Sequence, residues 1–282
     1  MPQDKLIQID VRQVLSGKLG ARSRYVPSFL VKWLENIIHQ DELNALLKSN
    51  YPRRGAEFCE GVLSDLDVKV SISNPELLPP ADRRRIIIVC THPLGGLDGM
   101  ALIQELSRVY GHDLRFIVND LLMAVKPLGD VFLPINKHGR QDRSAIANIN
   151  AVMASDAPVV IFPAGLVSRK GKDGQIRDLR WNKMFVNKAV EYQRDVLPIF
   201  FSGQNSSFFY NFARWRKRLG IKFNIEMVCL PGEVFKSRGK VFSIAVGDII
   251  PWQSLRTGGE ALAQAQEIRD IVYSLNSNQS QS

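Results

Sequence analysis

Two side chains in the sequence, His92 and Asp98, have the chemistry of a proton-transfer pair. A neutral imidazole can accept a proton from a hydroxyl or an amine near neutral pH. A carboxylate that holds the other ring nitrogen fixes the tautomer and stabilises the imidazolium that forms. Because they are six positions apart, the two residues do not share a face of a regular helix, so they must meet across the turn at Gly95 and Gly96. The structural alternative is that His92 only ends a strand and Asp98 only caps a helix.

The elements around this pair predict where it sits. Residues 86–90 are Ile-Ile-Ile-Val-Cys, a pattern typical of a short strand buried on both faces. Pro93 ends strand pairing, and the apolar periodicity of residues 97–110 predicts a helix that begins near Asp98. Turns that leave a central strand are where α/β folds usually place chemistry.

Strand-like and helix-like patterns alternate after residue 86, which predicts an α/β fold with a central mixed or largely parallel sheet flanked by helices. The predicted strands are 86–90, 114–118, 158–162, 196–201, 224–229 and 241–249, and the predicted helices are 97–110, 142–154, 182–193, 206–219 and 259–275. We expect residues 1–80 to form an N-terminal helical segment, ending in a half-exposed strand at 68–72, that packs on a catalytic domain at 81–275. Residues 276–282 are expected to be a disordered tail.

The charge balance favours an anionic partner. The chain has 37 Lys and Arg against 28 Asp and Glu, a net charge of +9. Lipid headgroups, an acidic carrier protein and nucleic acid would all suit this charge, but no nucleic-acid fold signature is present. No apolar run approaches the roughly 18 residues of a membrane span. We therefore expect a cytoplasmic protein, peripheral on the inner face of the cell membrane.

Other catalytic chemistries have little support in the sequence. No Gly-x-Ser-x-Gly elbow supplies a serine nucleophile. Cys90 ends an Ile/Val run, a position typical of a buried thiol rather than a nucleophile. The four histidines lack metal-ligand spacing, so no metal site is predicted. The three cysteines are too few for a disulfide framework, which favours a reducing compartment.

A second motif, Phe-Pro-Ala-Gly at residues 162–165, again closes an apolar strand with a turn. Ser168 and Arg169 follow it, and their side chains could bind a phosphate. Taken alone, this stretch reads more simply as a strand-ending turn and a solvated basic loop.

Together, and in this order, the motifs resemble those of the glycerol-phosphate and lysophosphatidate acyltransferase family, particularly its hemolysin-like, lysophospholipid acyltransferase-type branch. The resemblance covers about residues 85–205. Its blocks are the His-to-Asp motif at 92–98, a Lys and apolar-Gly stretch at 126–137, the motif at 162–165, and an apolar strand with an internal proline at 196–201.

The resemblance implies an acyltransferase of lipid biosynthesis and phospholipid metabolism. His92 would be the general base on an acceptor hydroxyl and Asp98 would orient it, while the turn at Gly95 and Gly96 would lie near the oxyanion. The acyl donor would be a thioester of acyl carrier protein (acyl-ACP) or coenzyme A (acyl-CoA), with no other cofactor and no covalent acyl-enzyme. The residues implied in binding the acceptor or its phosphate are Lys126, Lys137, Arg140, Gly165, Ser168 and Arg169.

The sequence departs from the family pattern where phosphate is held. Five residues rather than four separate His92 from Asp98, Ala164 replaces a glutamate, and Asn136-Lys137 replaces Asp-Arg. The acceptor is therefore expected to be lysophosphatidate or a lyso amino-acid lipid. The alternatives are an N-acyltransferase that makes a lyso amino-acid lipid and a non-enzymatic basic lipid-binding protein.

Two basic clusters contain a tryptophan and would suit an anionic lipid surface or an acidic carrier protein. Residues 169–183 hold Trp181, and residues 214–218 hold Trp215. A solvated helix face is the alternative interpretation of either cluster taken singly. An apolar stripe of Phe29, Trp33 and Ile37 could dip into a bilayer or pack on the catalytic domain.

Overall fold

The computed structural model describes residues 8–83, 85–119, 122–123, 125–135, 143–221 and 224–278. Its strands are β1 (Lys69–Ser73), β2 (Ile86–Cys90), β3 (Arg115–Asn119), β4 (Phe132–Ile135), β5 (Val159–Ile161), β6 (Arg169–Lys170), β7 (Ile176–Arg177), β8 (Asp195–Phe201) and β9 (Val241–Val246). Its helices are α1 (Val11–Leu19), α2 (Ser28–Ile37), α3 (Gln40–Ser49), α4 (Gly55–Asp65), α5 (Gly96–Tyr110), α6 (Arg143–Ala154), α7 (Met184–Glu191), α8 (Ser207–Arg218), α9 (Leu230–Phe235) and α10 (Ala261–Asn278).

Seven strands form one mixed sheet in the order β1-β9-β8-β2-β5-β3-β4, with β2 at its centre. Every neighbouring pair is parallel except β8 and β9, so β9 and β1 run against the other five strands. The short strands β6 and β7 form a separate antiparallel pair. The predicted α/β fold with a mixed, largely parallel sheet is confirmed.

The apolar run of β2 is buried at all five positions because both faces of the sheet are covered. Ile86, Ile88 and Cys90 belong to a core shared with α4 and α5. Ile87 and Val89 point to the opposite core, shared with α6, α7 and α10. This alternation is the two-residue period of a strand. It sets which face of the sheet each side chain points to as the chain leaves β2 toward His92.

The first 80 residues contribute to the same core and sheet. The side chains of Phe58 and Leu63 in α4 pack in the cluster that contains α5. Strand β1, predicted as half-exposed, pairs in parallel with β9 and forms one edge of the sheet. The core and the sheet thus continue across the boundary expected at residue 80.

Besides shifts of one to three residues at element ends, two local expectations differ from the structure. The strand predicted at 224–229 is wrong, because Ile225–Cys229 is a 3-10 helix followed directly by α9. Its residue Glu226 is drawn into a buried ion pair, and Pro231 fits the first turn of the following helix. Helix α10 extends to Asn278, so residues 276–278, expected in the tail, are helical. Residues 279–282 lie outside the described residues.

Candidate active site

The end of β2 is held in place by its neighbour in the sheet. The hydroxyl of Thr91 accepts a hydrogen bond from the backbone N–H of Phe201 (2.8 Å) and lies 3.2 Å from the Phe201 carbonyl oxygen. Thr91 directly precedes His92, and Phe201 ends β8. The backbone that leads from β2 to His92 is therefore also tied to the neighbouring strand β8.

His92 and Asp98 meet across the turn, as the sequence predicted. His92 Nδ1 lies 3.1 Å from Asp98 Oδ2, with the aspartate side chain fully buried and the histidine side chain 17% exposed. An ionised carboxylate only accepts hydrogen bonds, so Nδ1 carries the proton in this pair. Nε2 is then the basic nitrogen, the tautomer that a general base requires.

The buried Asp98 carboxylate is surrounded by backbone donors. Its Oδ2 accepts from the N–H groups of Leu94 (2.9 Å) and Gly95 (3.2 Å), and its Oδ1 accepts from Gly99 (2.8 Å). Asp98 also lies in the first turn of α5, where the helix dipole favours negative charge. These donors offset the desolvation of the carboxylate and hold it in position for the imidazole.

The second motif reaches the same place because β5 runs parallel to β2 as its neighbour in the sheet. The ring of Phe162, just after β5, stacks on the His92 imidazole with centroids 4.1 Å apart and planes inclined by 23°. The N–H of Ser168 donates to the His92 carbonyl (2.8 Å). Phe162 fixes the plane of the imidazole, a contact that sequence reasoning did not identify.

Asp178 is a further buried carboxylate that sequence reasoning missed. Its Oδ1 accepts from the His92 backbone N–H (3.2 Å) and the Ser168 hydroxyl (2.6 Å), and its Oδ2 accepts from Trp181 Nε1 (2.9 Å). Its own N–H donates to the Tyr273 hydroxyl in α10 (2.7 Å). Burial raises the pKa of the Asp178 carboxyl, and the bonds from Ser168 and Trp181 oppose that rise. The only signal in the sequence was that Asp178 is one of two acidic residues in the basic stretch 169–183.

Replacing Asp178 with alanine is expected to destabilise the fold by about 2–4 kcal/mol, because three buried donors lose their acceptor. The rate of acyl transfer should fall as well, since the His92 backbone is released. Urea unfolding would measure the first effect. The control is Asp173→Asn, an exposed carboxylate in the adjacent β6–β7 turn. A stability equal to that of the control would show that Asp178 does not brace the site.

The residues implied in acceptor binding occupy different environments. Lys126 is exposed in a 3-10 helix, and Gly165 lies in the turn after β5 with a positive φ of 66°. Ser168 is buried and its hydroxyl is bonded to Asp178. Lys137 and Arg140 lie outside the described residues.

Arg169 is enclosed in an ion pair rather than exposed. Its guanidinium donates to Glu226 Oε1 (2.9 Å), and Arg216 Nε lies 2.7 Å from Glu226 Oε2, with all three side chains buried. Burial lowers the pKa of Arg169, and the neighbouring Glu226 opposes that shift. The expectation of a solvated basic loop therefore does not hold for Arg169, whereas Lys170 and Lys172 after it are exposed. Trp181 is buried rather than at the surface.

The turn at Gly95 and Gly96 brings a backbone N–H group to the Asp98 carboxylate. Gly95 has a positive φ of 94°, and a Cβ there would lie 3.1 Å from side-chain atoms of Leu230 and Val167. Its N–H is already bonded to Asp98, so Gly95 is not available as an oxyanion donor in this arrangement. Gly96 is exposed at the first residue of α5 and stays a prediction for that role.

The three cysteines are buried and free. Burial raises the pKa of the Cys90 thiol far above its usual range, and the negative charges of Asp98 and Asp178 raise it further. Burial likewise raises the pKa of Cys229 to about 11. Because a thiolate is the reactive form, none of these thiols is activated as a nucleophile.

A family model described as "Acyltransferase" matches residues 13–281, nearly the whole chain. This chain belongs to the acyltransferase family. The geometry above therefore belongs to an acyltransferase, whose reaction requires an acceptor nucleophile to lose a proton.

Two curated relatives of this acyltransferase carry the same name. The lyso-glycine lipid O-acyltransferase of Phocaeicola vulgatus is 43% identical over 275 residues, covering 98% of both chains. The lyso-glycine lipid O-acyltransferase of Bacteroides thetaiotaomicron is 42% identical over 275 residues, covering 98% of this chain and all of that one. Among solved structures, the 1-acyl-sn-glycerophosphate (LPA) acyltransferase of Thermotoga maritima is similar over 95% of this chain and 98% of its own, with a TM-score of 0.45 and 15% identity.

Two features are absent from the described part of the acyltransferase. None of its described helices has the length and hydropathy needed to cross a bilayer. Within the same residues, His, Cys, Asp and Glu side chains form no group that could hold a metal ion.

Proposed function

We propose that this acyltransferase moves a fatty acyl group from a thioester to the hydroxyl of a lyso-lipid, and that the acceptor is a lyso-glycine lipid. The main support for this reaction is the His92–Asp98 pair, in which a buried carboxylate holds Nδ1 and leaves Nε2 as the base. The two relatives at 42% and 43% identity, both named for lyso-glycine lipid O-acylation, support the acceptor.

In the proposed reaction, His92 Nε2 takes the proton of the acceptor hydroxyl as the oxygen attacks the thioester carbonyl. Asp98 stabilises the imidazolium that forms, as a carboxylate beside a catalytic histidine does. The tetrahedral intermediate then collapses, the carbon–sulfur bond breaks, and the imidazolium returns the proton to the leaving thiolate. The products are an ester and a free thiol, and no acyl group is attached to the protein.

The environments of the acceptor-binding residues favour an amino-acid lipid over a phosphate-bearing acceptor. The Arg169 guanidinium is paired with the buried Glu226, and the Ser168 hydroxyl is committed to Asp178. Ala164 stands where the resembling family has a glutamate. Of the predicted phosphate ligands that the structure describes, Lys126 keeps an exposed cationic side chain.

We also propose that the protein works from the inner face of the cell membrane with acyl-ACP or acyl-CoA as co-substrate and without another cofactor. The net charge of +9 supports an anionic surface as partner and gives no specific reason to expect nucleic acid. Exposed apolar side chains on α2, namely Phe29 and Trp33, are consistent with contact to lipid, whereas Ile37 packs inward.

The test is a transfer assay with purified protein and long-chain acyl-ACP or acyl-CoA. Each donor is offered lyso-glycine lipid, lysophosphatidate and glycerol phosphate, together with an amino-acid amine, and products are identified by mass spectrometry. We expect a new ester from lyso-glycine lipid. An ester formed only from lysophosphatidate or glycerol phosphate would overturn the acceptor, an amide would establish N-acylation instead, and no product from any pairing would favour a lipid-binding protein.

A further inference from the structure

Helix α8 has an outer face that the proposed reaction does not use. Phe208, Trp215 and the capping residue Leu219 are 51%, 54% and 55% exposed. The ring of Phe212 links the first two, with centroids 5.9 Å from Phe208 and 6.3 Å from Trp215, both pairs stacked. We call these four residues the α8 stripe. The three rings form an apolar ridge on the protein surface, and Leu219 follows four residues after Trp215 on the same side of the helix.

Basic side chains border the α8 stripe. Arg214, Lys217 and Arg218 are exposed, and the helix contains no acidic residue. Lys236 of the neighbouring segment lies over the Phe208 ring at 5.4 Å. Arg214 and Arg218 also line a shallow depression with Asn211 and Trp215. The combination of an indole, an amide and two guanidinium groups suits an anionic headgroup.

The α8 stripe is held outward by firm packing beneath it. Phe209 and Tyr210 on the inner face are buried in a cluster with Val167, and Ala213 is also buried. Arg216, one turn further along, is buried against Glu226. Because the inner face is fixed by apolar packing and by a buried ion pair, the helix cannot rotate to hide its aromatic side chains.

The helix also starts beside the candidate active site. Asn205, two residues before α8, donates from its side chain to the carbonyl of Pro93 (3.1 Å), the residue after His92. The hydroxyl of Ser206 accepts from the N–H of Phe209 and caps the helix. A lipid surface that contacts the α8 stripe would therefore lie next to the turn that carries the base.

From these observations we infer that the α8 stripe and its basic border dock the protein on an anionic bilayer, with the aromatic rings at the headgroup level. Exposed aromatic rings beside arginines on one helix face, with no acidic residue, are the signature of an interfacial helix. Docking of an acidic carrier protein would need the charges but not the apolar ridge. This inference rests on the proposed function in two respects, the lipid acceptor and the anionic membrane surface, and it names the face that meets that surface.

The test is flotation of the purified full chain with vesicles of phosphatidylcholine containing phosphatidylglycerol, measured without an acyl donor. Removing two arginines with Arg214→Gln/Arg218→Gln should weaken binding about thirty-fold, since each basic residue near such a surface contributes about 1 kcal/mol. Phe208→Ser/Trp215→Ser should weaken binding on the order of tenfold or more.

Matched controls remove arginine charges or an apolar side chain from places outside α8. Arg85→Gln/Arg108→Gln takes two exposed charges, one from the residue before β2 and one from α5, and Ile271→Ser takes an exposed apolar side chain from α10. Both controls should bind vesicles like the unaltered protein. All variants should keep the circular dichroism and thermal transition of the parent.

The outcomes separate this inference from the proposed function. Loss of vesicle binding in the α8 variants alone supports the α8 stripe, whether or not any acyl transfer is detected. Vesicle binding equal to that of the parent overturns the inference, even if transfer in detergent micelles proceeds. Unchanged vesicle binding together with lost retention on immobilised acyl carrier protein would overturn it in favour of carrier docking.

Discussion

Replacing His92 with alanine is expected to lower the rate of acyl transfer by roughly 10²- to 10⁴-fold, the usual contribution of a positioned general base. The fold should survive, because the His92 backbone bonds to Asp178 and Ser168 do not use the imidazole. The loss should appear in kcat at saturating acceptor, since the imidazole acts in the transition state. Mass spectrometry of the acylated product measures the rate.

The matched control is His112→Ala, which removes an exposed imidazole just beyond the far end of α5. It should transfer acyl groups at the parental rate. A folded His92→Ala protein with near-parental turnover would show that another group deprotonates the acceptor.

Replacing Asp98 with asparagine is expected to cost roughly 10²- to 10⁴-fold in kcat, as when the carboxylate beside a catalytic histidine becomes an amide. Asp98 Oδ2 accepts from His92, Leu94 and Gly95, while Oδ1 accepts from Gly99. In asparagine an NH₂ group replaces one of these two oxygens. In either orientation this NH₂ group faces an N–H donor, so at least one N–H loses its acceptor. The negative charge that stabilises the imidazolium is lost in either orientation.

The Asp98→Asn rate should be compared with its unfolding free energy, because the substitution also weakens the first turn of α5. A drop in kcat at a temperature where the variant is fully folded supports the orienting role. A variant with parental kcat would mean that a different residue, such as Phe162 through its stacking contact, suffices to orient the imidazole.

Much of the fold follows from local sequence patterns. The bounds predicted for β2 match the structure because five consecutive apolar residues can only be satisfied between two covered faces. Strand β4 was not predicted because Pro134 disrupts its pattern, yet β4 is an edge strand, where proline is tolerated. The strand predicted at 224–229 is wrong because Glu226 within it pairs with Arg169 and Arg216, which only the tertiary structure brings near.

In the candidate site, too, local spacing predicts some contacts, and others depend on residues distant in the chain. His92 and Asp98 are six residues apart and joined by a glycine turn, so their meeting could be predicted from spacing. The environments of Ser168 and Arg169 could not be predicted in this way. The partner of Ser168, Asp178, lies 10 residues further along the chain, and the partner of Arg169, Glu226, lies 57 residues further. Basic and hydroxyl side chains after a strand look alike in sequence whether they face a ligand or a buried carboxylate.

Direct transfer, in which His92 activates the acceptor and the acyl group never becomes attached to the protein, is the central claim. Its most direct test is the intact mass of the purified protein after incubation with a long-chain acyl thioester, first without acceptor and then with lyso-glycine lipid added. We predict an unchanged protein mass throughout, with acylated lipid formed only after the acceptor is added and only when His92 is present. A protein that gains one acyl mass without acceptor, and passes it to the lipid when acceptor arrives, would contradict the claim.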